Sequence, residues 1–169
     1  MELTGSRIIN ASRAEVWEAL NDPEVLKACI QGCSEMIRDE DGGFTAVVTQ
    51  KVGPVKATFK GAVTLSDIVV QESYTISGEG KGGAAGFAKG GAKVKLADVV
   101  GGTALSYEVE ARVGGKLAQI GSRLVNGFAK KMADKFFTNF QMALEGPDES
   151  DEPEAKKKGW LKRLVSSDE

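Results

Sequence analysis

"LSYEVEARVGGKLAQIGSRLVNGF", residues 105–128, contains the change of period that decides the fold. In its first half Leu105, Tyr107, Val109, Ala111 and Val113 alternate with Ser106, Glu108, Glu110 and Arg112. That is the spacing of a strand with one buried face. After Gly114-Gly115 the apolar residues recur every three or four positions. Leu117, Ile120, Leu124 and Phe128 are continued by Met132, Phe136, Phe140 and Leu144, the stripe of an amphipathic helix. Gly146-Pro147 ends it. A helix of roughly 30 residues would span about 45 Å. It is too one-sided to stand alone, so its stripe must lie along a partner surface.

The upstream residues supply that surface. Leu3 to Asn10 reads as an opening strand. Ser12, followed three residues later by Glu15, is a capping box that starts a short helix. Asp22-Pro23 starts a second helix, with an N-cap residue followed by proline at the first helical position. From Cys33 to Val113 the period is two. Phe44, Ala46, Val48, Gln50 and Val52 form one series, and Ala57, Phe59, Gly61, Val63 and Leu65 the next. Tyr74, Ile76 and Gly78 begin another. Asp41-Gly42-Gly43, Gly53-Pro54 and Gly101-Gly102 mark turns between them. The expected fold is α+β: a curved antiparallel sheet of about seven strands gripping one long C-terminal helix, with two short helices after the first strand.

Composition narrows the chemistry. Among 169 residues the net charge is −2, so no global field favours nucleic acid. Histidine is absent, which removes the usual general base near neutral pH and any Ser-His-Asp or Cys-His mechanism within this chain. Cys29 and Cys33 are too few for a structural zinc or a disulfide framework. A reduced, intracellular chain without a bound metal is expected. The first residues carry early charge and no apolar run, so they do not read as a signal peptide, and no stretch has the apolar length of a spanning helix.

Residues 78–96, "GEGKGGAAGFAKGGAKVKL", at first suggest a phosphate loop. No Gly-Lys-Ser/Thr occurs in them, and they run on into strand-like sequence with no α/β crossover. Read as a strand, one parity carries Ala88, Gly90, Ala92, Val94 and Leu96, and the other carries Lys89, Lys93 and Lys95. With lysines outward, the inward parity begins with three very small residues. Such a floor either lets the helix pack closely or leaves room beneath it.

Residues 15–33 ("EVWEALNDPEVLKACIQGC"), 78–96, and 107–140 ("YEVEARVGGKLAQIGSRLVNGFAKKMADKFFTNF") resemble the CoxG family associated with carbon monoxide dehydrogenase. That family belongs to the START-like, helix-grip superfamily of polyketide cyclases and lipid-transfer proteins. The resemblance covers about residues 1–145 and departs at Gln31, where proline is common in the family. It implies an accessory role beside a molybdenum-containing hydroxylase of the carbon monoxide dehydrogenase type, in maturation or membrane association. It implies no catalytic residue and no intrinsic cofactor in this chain.

The likeness to lipid-transfer folds also implies an apolar cavity under the helix. Its wall would be Phe59, Val63, Tyr74, Ile76, Leu105 and Tyr107 on the sheet, with Ala88 and Gly90 as its small-residue floor. The helix would add Leu117, Ile120, Gly121, Leu124 and Phe128, with Asn126 as a polar contact. Each of these residues also has a plain reading as core. The expected ligand is a hydrophobic membrane-derived molecule, a respiratory quinone or another isoprenoid or lipid. The alternatives are a recruitment or maturation adaptor that carries no ligand and a cyclase- or hydrolase-like enzyme using Tyr74, Tyr107, Asp98 or a glutamate.

After residue 146 the composition breaks. Residues 147–155 are acidic and proline-bearing, a linker composition. Residues 156–169 place Trp160, Leu161, Leu164 and Val165 on one helical face, with Lys156, Lys157, Lys158, Lys162 and Arg163 around it. This is the composition of a membrane-surface segment, though a groove on a partner protein would also accept it. The expected organisation is a ligand-binding domain over 1–146, a linker and a basic amphipathic tail. The expected location is cytoplasmic and peripheral on the inner face of the cell membrane.

Overall fold

A computed structural model describes residues 1–146 of the chain. Strand β1 (Glu2–Ile9) is followed by helices α1 (Arg13–Leu20) and α2 (Pro23–Cys29). Then come β2 (Cys33–Arg38), β3 (Phe44–Val52), β4 (Val55–Val69), β5 (Ser73–Lys81), β6 (Phe87–Val99) and β7 (Gly102–Gly114). A short helix α3 (Lys116–Gln119) and the long helix α4 (Ser122–Glu145) complete the described part. All seven strands form one antiparallel sheet in the order β1-β7-β6-β5-β4-β3-β2. Six strands follow one another as a meander, and β1 closes onto the last of them. The helix-grip architecture expected from the sequence is the one observed.

The local signals work as their chemistry requires. The Ser12 hydroxyl accepts from the Glu15 N–H at 3.2 Å, while the Ser12 N–H donates to the Glu15 carboxylate at 3.0 Å. Both halves of the capping box are therefore made, and α1 starts there. Asp22 accepts from the Glu24 N–H at 2.9 Å, and Pro23 opens α2. Thr103, fully buried at the start of β7, donates to the Ala11 carbonyl at 2.7 Å and locks the corner between β1 and α1. Arg13 on α1 reaches Asp98 at 2.9 Å and the Gln71 carbonyl at 3.1 Å, joining the β6–β7 and β4–β5 hairpin ends.

The core occupies one end of the concave face. Ile9, Val16, Val25, Cys29, Leu105 and Phe140 are almost wholly excluded from solvent there. Phe140 stacks on Phe136 at 5.8 Å, and the C-terminal half of α4 is held between α1, α2 and the sheet. Asn139 donates to the Cys29 carbonyl at 3.1 Å and pins α4 to the end of α2.

The expected continuous helix from Leu117 is not one helix. Gly121 has φ 98° and separates the four-residue α3 from the 24-residue α4. That left-handed conformation suits glycine and cannot continue a right-handed helix. The break shifts the phase of the stripe, so Leu124 is 50% exposed. Val125 turns inward in its place. The linker at 147–155 and the tail at 156–169, including Lys156–Lys158 and Trp160–Val165, lie outside the described residues.

Candidate functional site

The strand register brings the small residues into rows on the concave face. Ala46, Gly61, Gly80 and Ala88 stand opposite one another across β3–β6. In the next row Val63, Gly78, Gly90 and Ala111 do the same. The third row is Leu65, Ile76, Ala92 and Val109. Lys89, Lys93 and Lys95 are on the opposite face and exposed, as their parity predicts.

Helix α4 does not close down on this floor. Its main sheet contacts are with β1 and β3, on either side of the strands that carry the small residues. Two adjoining chambers lie between. The smaller, about 490 Å³, runs beneath Phe136 and Phe137 and is closed at one end by Leu20, Leu26 and Ile30. The larger, about 690 Å³, lies under the N-terminal half of α4 and is lined by Val52, Phe59, Leu117, Val125, Phe128 and Met132. Ile30, Ala88, Val109 and Ala111 border both. These volumes and apolar walls are those of a small-molecule site.

The glycines of the floor have two distinct physical reasons. A Cβ at Gly90 would run into the Glu110 carbonyl and lie 2.7 Å from the Ala111 Cα. One at Gly78 would come within 2.8 Å of the Ala62 carbonyl. These two glycines allow neighbouring strands to approach closely. At Gly80 the nearest atom to a Cβ would be 3.9 Å away, so that glycine leaves room. Parity along the chain assigns all of them to the helix or a ligand, and the strand contacts correct that for Gly78 and Gly90.

Nine of the thirteen cavity residues expected from the sequence line the chambers. Val63, Tyr74, Ile76, Ala88 and Gly90 face the smaller one. Phe59, Leu117, Gly121 and Phe128 face the larger, with Asn126 beside them. Leu105, Tyr107, Ile120 and Leu124 line neither. Leu105 is fully buried in the core. Tyr107 stacks on Phe137 at 4.6 Å, with its hydroxyl over Gly5 at the β1 edge. Ile120 and Leu124 are displaced by the helix break at Gly121. Leu26, Ile30, Val125 and Met132 were missed. The apolar i, i+4 pair Leu26 and Ile30 on α2 was the available signal for the first two.

Little in this cavity is chemically reactive. Burial pushes the Cys29 thiol up to about 11, so it stays protonated at neutral pH, and Cys33 is also a free thiol. Asp98 lies at the surface, paired with Arg13 and remote from the chambers. Among the described residues no three His, Cys, Asp or Glu side chains cluster as a metal site would require. None of their helices is long and apolar enough to cross a membrane.

The model of the carbon monoxide dehydrogenase CoxG family matches residues 5–145. A conserved protein from Geobacillus kaustophilus has a solved structure that superposes with a TM-score of 0.78 at 31% identity, covering 85% of this chain and 95% of that one. An uncharacterised protein from Rhizobium leguminosarum superposes with a TM-score of 0.67 at 18% identity, over 86% of this chain and 94% of that one. A START superfamily protein from Mycobacterium smegmatis gives 0.63 at 13% identity, over 85% and 97%. At those lower identities the likeness is one of fold. No curated protein matches the sequence.

Proposed function

Because the chain belongs to the carbon monoxide dehydrogenase CoxG family, we propose that it is a non-catalytic accessory protein of a carbon monoxide dehydrogenase-type molybdenum hydroxylase. In this role it binds a hydrophobic, membrane-derived ligand in the two chambers. The ligand favoured by partner logic is a respiratory quinone, since electrons from such an enzyme have to reach the membrane pool. The basic tail at 156–169 holds the protein at the inner membrane surface. The observation that carries this reading is the apolar space kept open between α4 and the small-residue floor. A domain serving only as a recruitment module has no need of such a space, because filling it with side chains would add stability.

Solvent extraction of the full chain, purified from a membrane-containing background, tests the reading directly. Mass spectrometry is expected to find about one isoprenoid quinone or lipid per chain. A chain that is empty on isolation and takes up neither ubiquinone nor menaquinone from detergent micelles would be an adaptor without cargo. The tail has its own test. Leu164→Ser removes one apolar side chain from its proposed membrane face, worth about 1.5–3 kcal/mol. Binding to vesicles containing anionic lipid is expected to weaken tenfold or more in a flotation assay. Unchanged flotation would rule out membrane contact through that face.

A further inference from the structure

The wall of the smaller chamber is apolar apart from one buried side chain. Tyr74, the second residue of β5, is 5% exposed and meets Trp17 edge-on at a centroid distance of 5.3 Å. Among the described residues its hydroxyl has no hydrogen-bond partner, and desolvation alone pushes its pKa far above the ordinary phenol range. It is therefore a neutral O–H donor. Buried hydroxyls are normally paired, as Thr103 is with the Ala11 carbonyl. Tyr74 faces the chamber among Leu65, Ile76 and Val94, none of which offers a side-chain acceptor.

The inference rests on the ligand-binding reading above. We propose that the Tyr74 hydroxyl donates a hydrogen bond to a carbonyl oxygen of the bound ligand and so selects its chemical class. The class is a neutral carbonyl head group on a long apolar body. A carboxylate or phosphate head is disfavoured, because the chamber's Lys89, Glu79 and Glu110 belong to the outward parity of the sheet. A charged head beside Tyr74 would be buried with no countercharge. A pure hydrocarbon would leave the hydroxyl unpaired. The carbonyl end is then seated where α1 and α2 close the smaller chamber. The apolar remainder runs past Ala88 into the larger chamber beneath the first half of α4.

Two probes of matched shape test this: a 1,4-naphthoquinone bearing an isoprenoid chain, and the naphthalene hydrocarbon with the same chain. Tyr74→Phe is expected to weaken the quinone about tenfold, the loss of one buried hydrogen bond, and to leave the hydrocarbon unchanged. In the infrared spectrum the quinone carbonyl band is expected at lower frequency in the unsubstituted complex than in the Tyr74→Phe complex. Tyr107→Phe serves as the control, because that hydroxyl lies over Gly5, away from the chambers, and it is expected to change neither affinity. Equal quinone affinity in the unsubstituted protein and Tyr74→Phe, with an unmoved carbonyl band, would overturn the role of Tyr74 while leaving the ligand-binding reading standing. Failure of the unsubstituted protein to bind either probe would overturn both.

Discussion

Ala88→Phe is expected to abolish tight ligand binding and leave the domain folded. Ala88 borders both chambers, and its neighbours across the floor are Gly80 and Val113. A phenyl ring there enters space that no side chain fills, so the usual penalty for enlarging a packed core does not apply. Phenylalanine also suits a strand. The ring divides the continuous space into two short pieces. If it removes about 100 Å² of ligand contact at about 25 cal/mol per Å², the loss is about 2.5 kcal/mol, or nearly two orders of magnitude in affinity. Titration with quinone measures the affinity, and the thermal midpoint of the empty protein measures the fold. A stable variant that binds quinone as well as the unsubstituted chain would show that the ligand lies elsewhere.

The second large effect separates two glycines that look alike in the sequence. Gly90→Ala is expected to cost about 3 kcal/mol, the upper end of overpacking penalties. The obstruction is the backbone of β7, at the Glu110 carbonyl and the Ala111 Cα, and it cannot rotate away. Gly80→Ala meets nothing nearer than 3.9 Å. It is expected to be neutral or to gain about 0.4–1 kcal/mol through the reduced freedom of the unfolded chain. Urea midpoints at constant m-value measure both. Equal costs at the two positions would refute the division of the floor into strand-contact glycines and space-making ones. The pair also bears on function, since a methyl group at Gly80 begins to fill the room that the ligand needs.

Much of the fold was legible because its determinants are local. The alternation from Phe44 to Val113 placed the concave face correctly on β3 to β7, because successive side chains of a strand must point to opposite sides. Ser12 with Glu15, and Asp22 with Pro23, marked the starts of α1 and α2 because capping is settled within one turn. Gly121 was less decisive. A glycine within a three-and-four pattern is compatible with a continuous helix or a break, and only its φ of 98° separates them. That one dihedral moves Leu124 outward and Val125 inward.

The sequence by itself determined the helix-grip architecture, the outward lysines and the apolar inward parity, because each follows from neighbours a few positions apart. Tertiary structure alone decided which inward residues face open space. Tyr74 and Tyr107 share the inward parity of adjoining regions of the sheet. Yet Tyr107 is covered by Phe137 at the β1 edge, and Tyr74 is left on a chamber wall. The difference is set by where α4 crosses the sheet. Likewise Gly80 makes room while Gly90 fits against β7, because the distance between strands depends on how the whole sheet curves. Both are long-range quantities, and periodicity along the chain does not encode them.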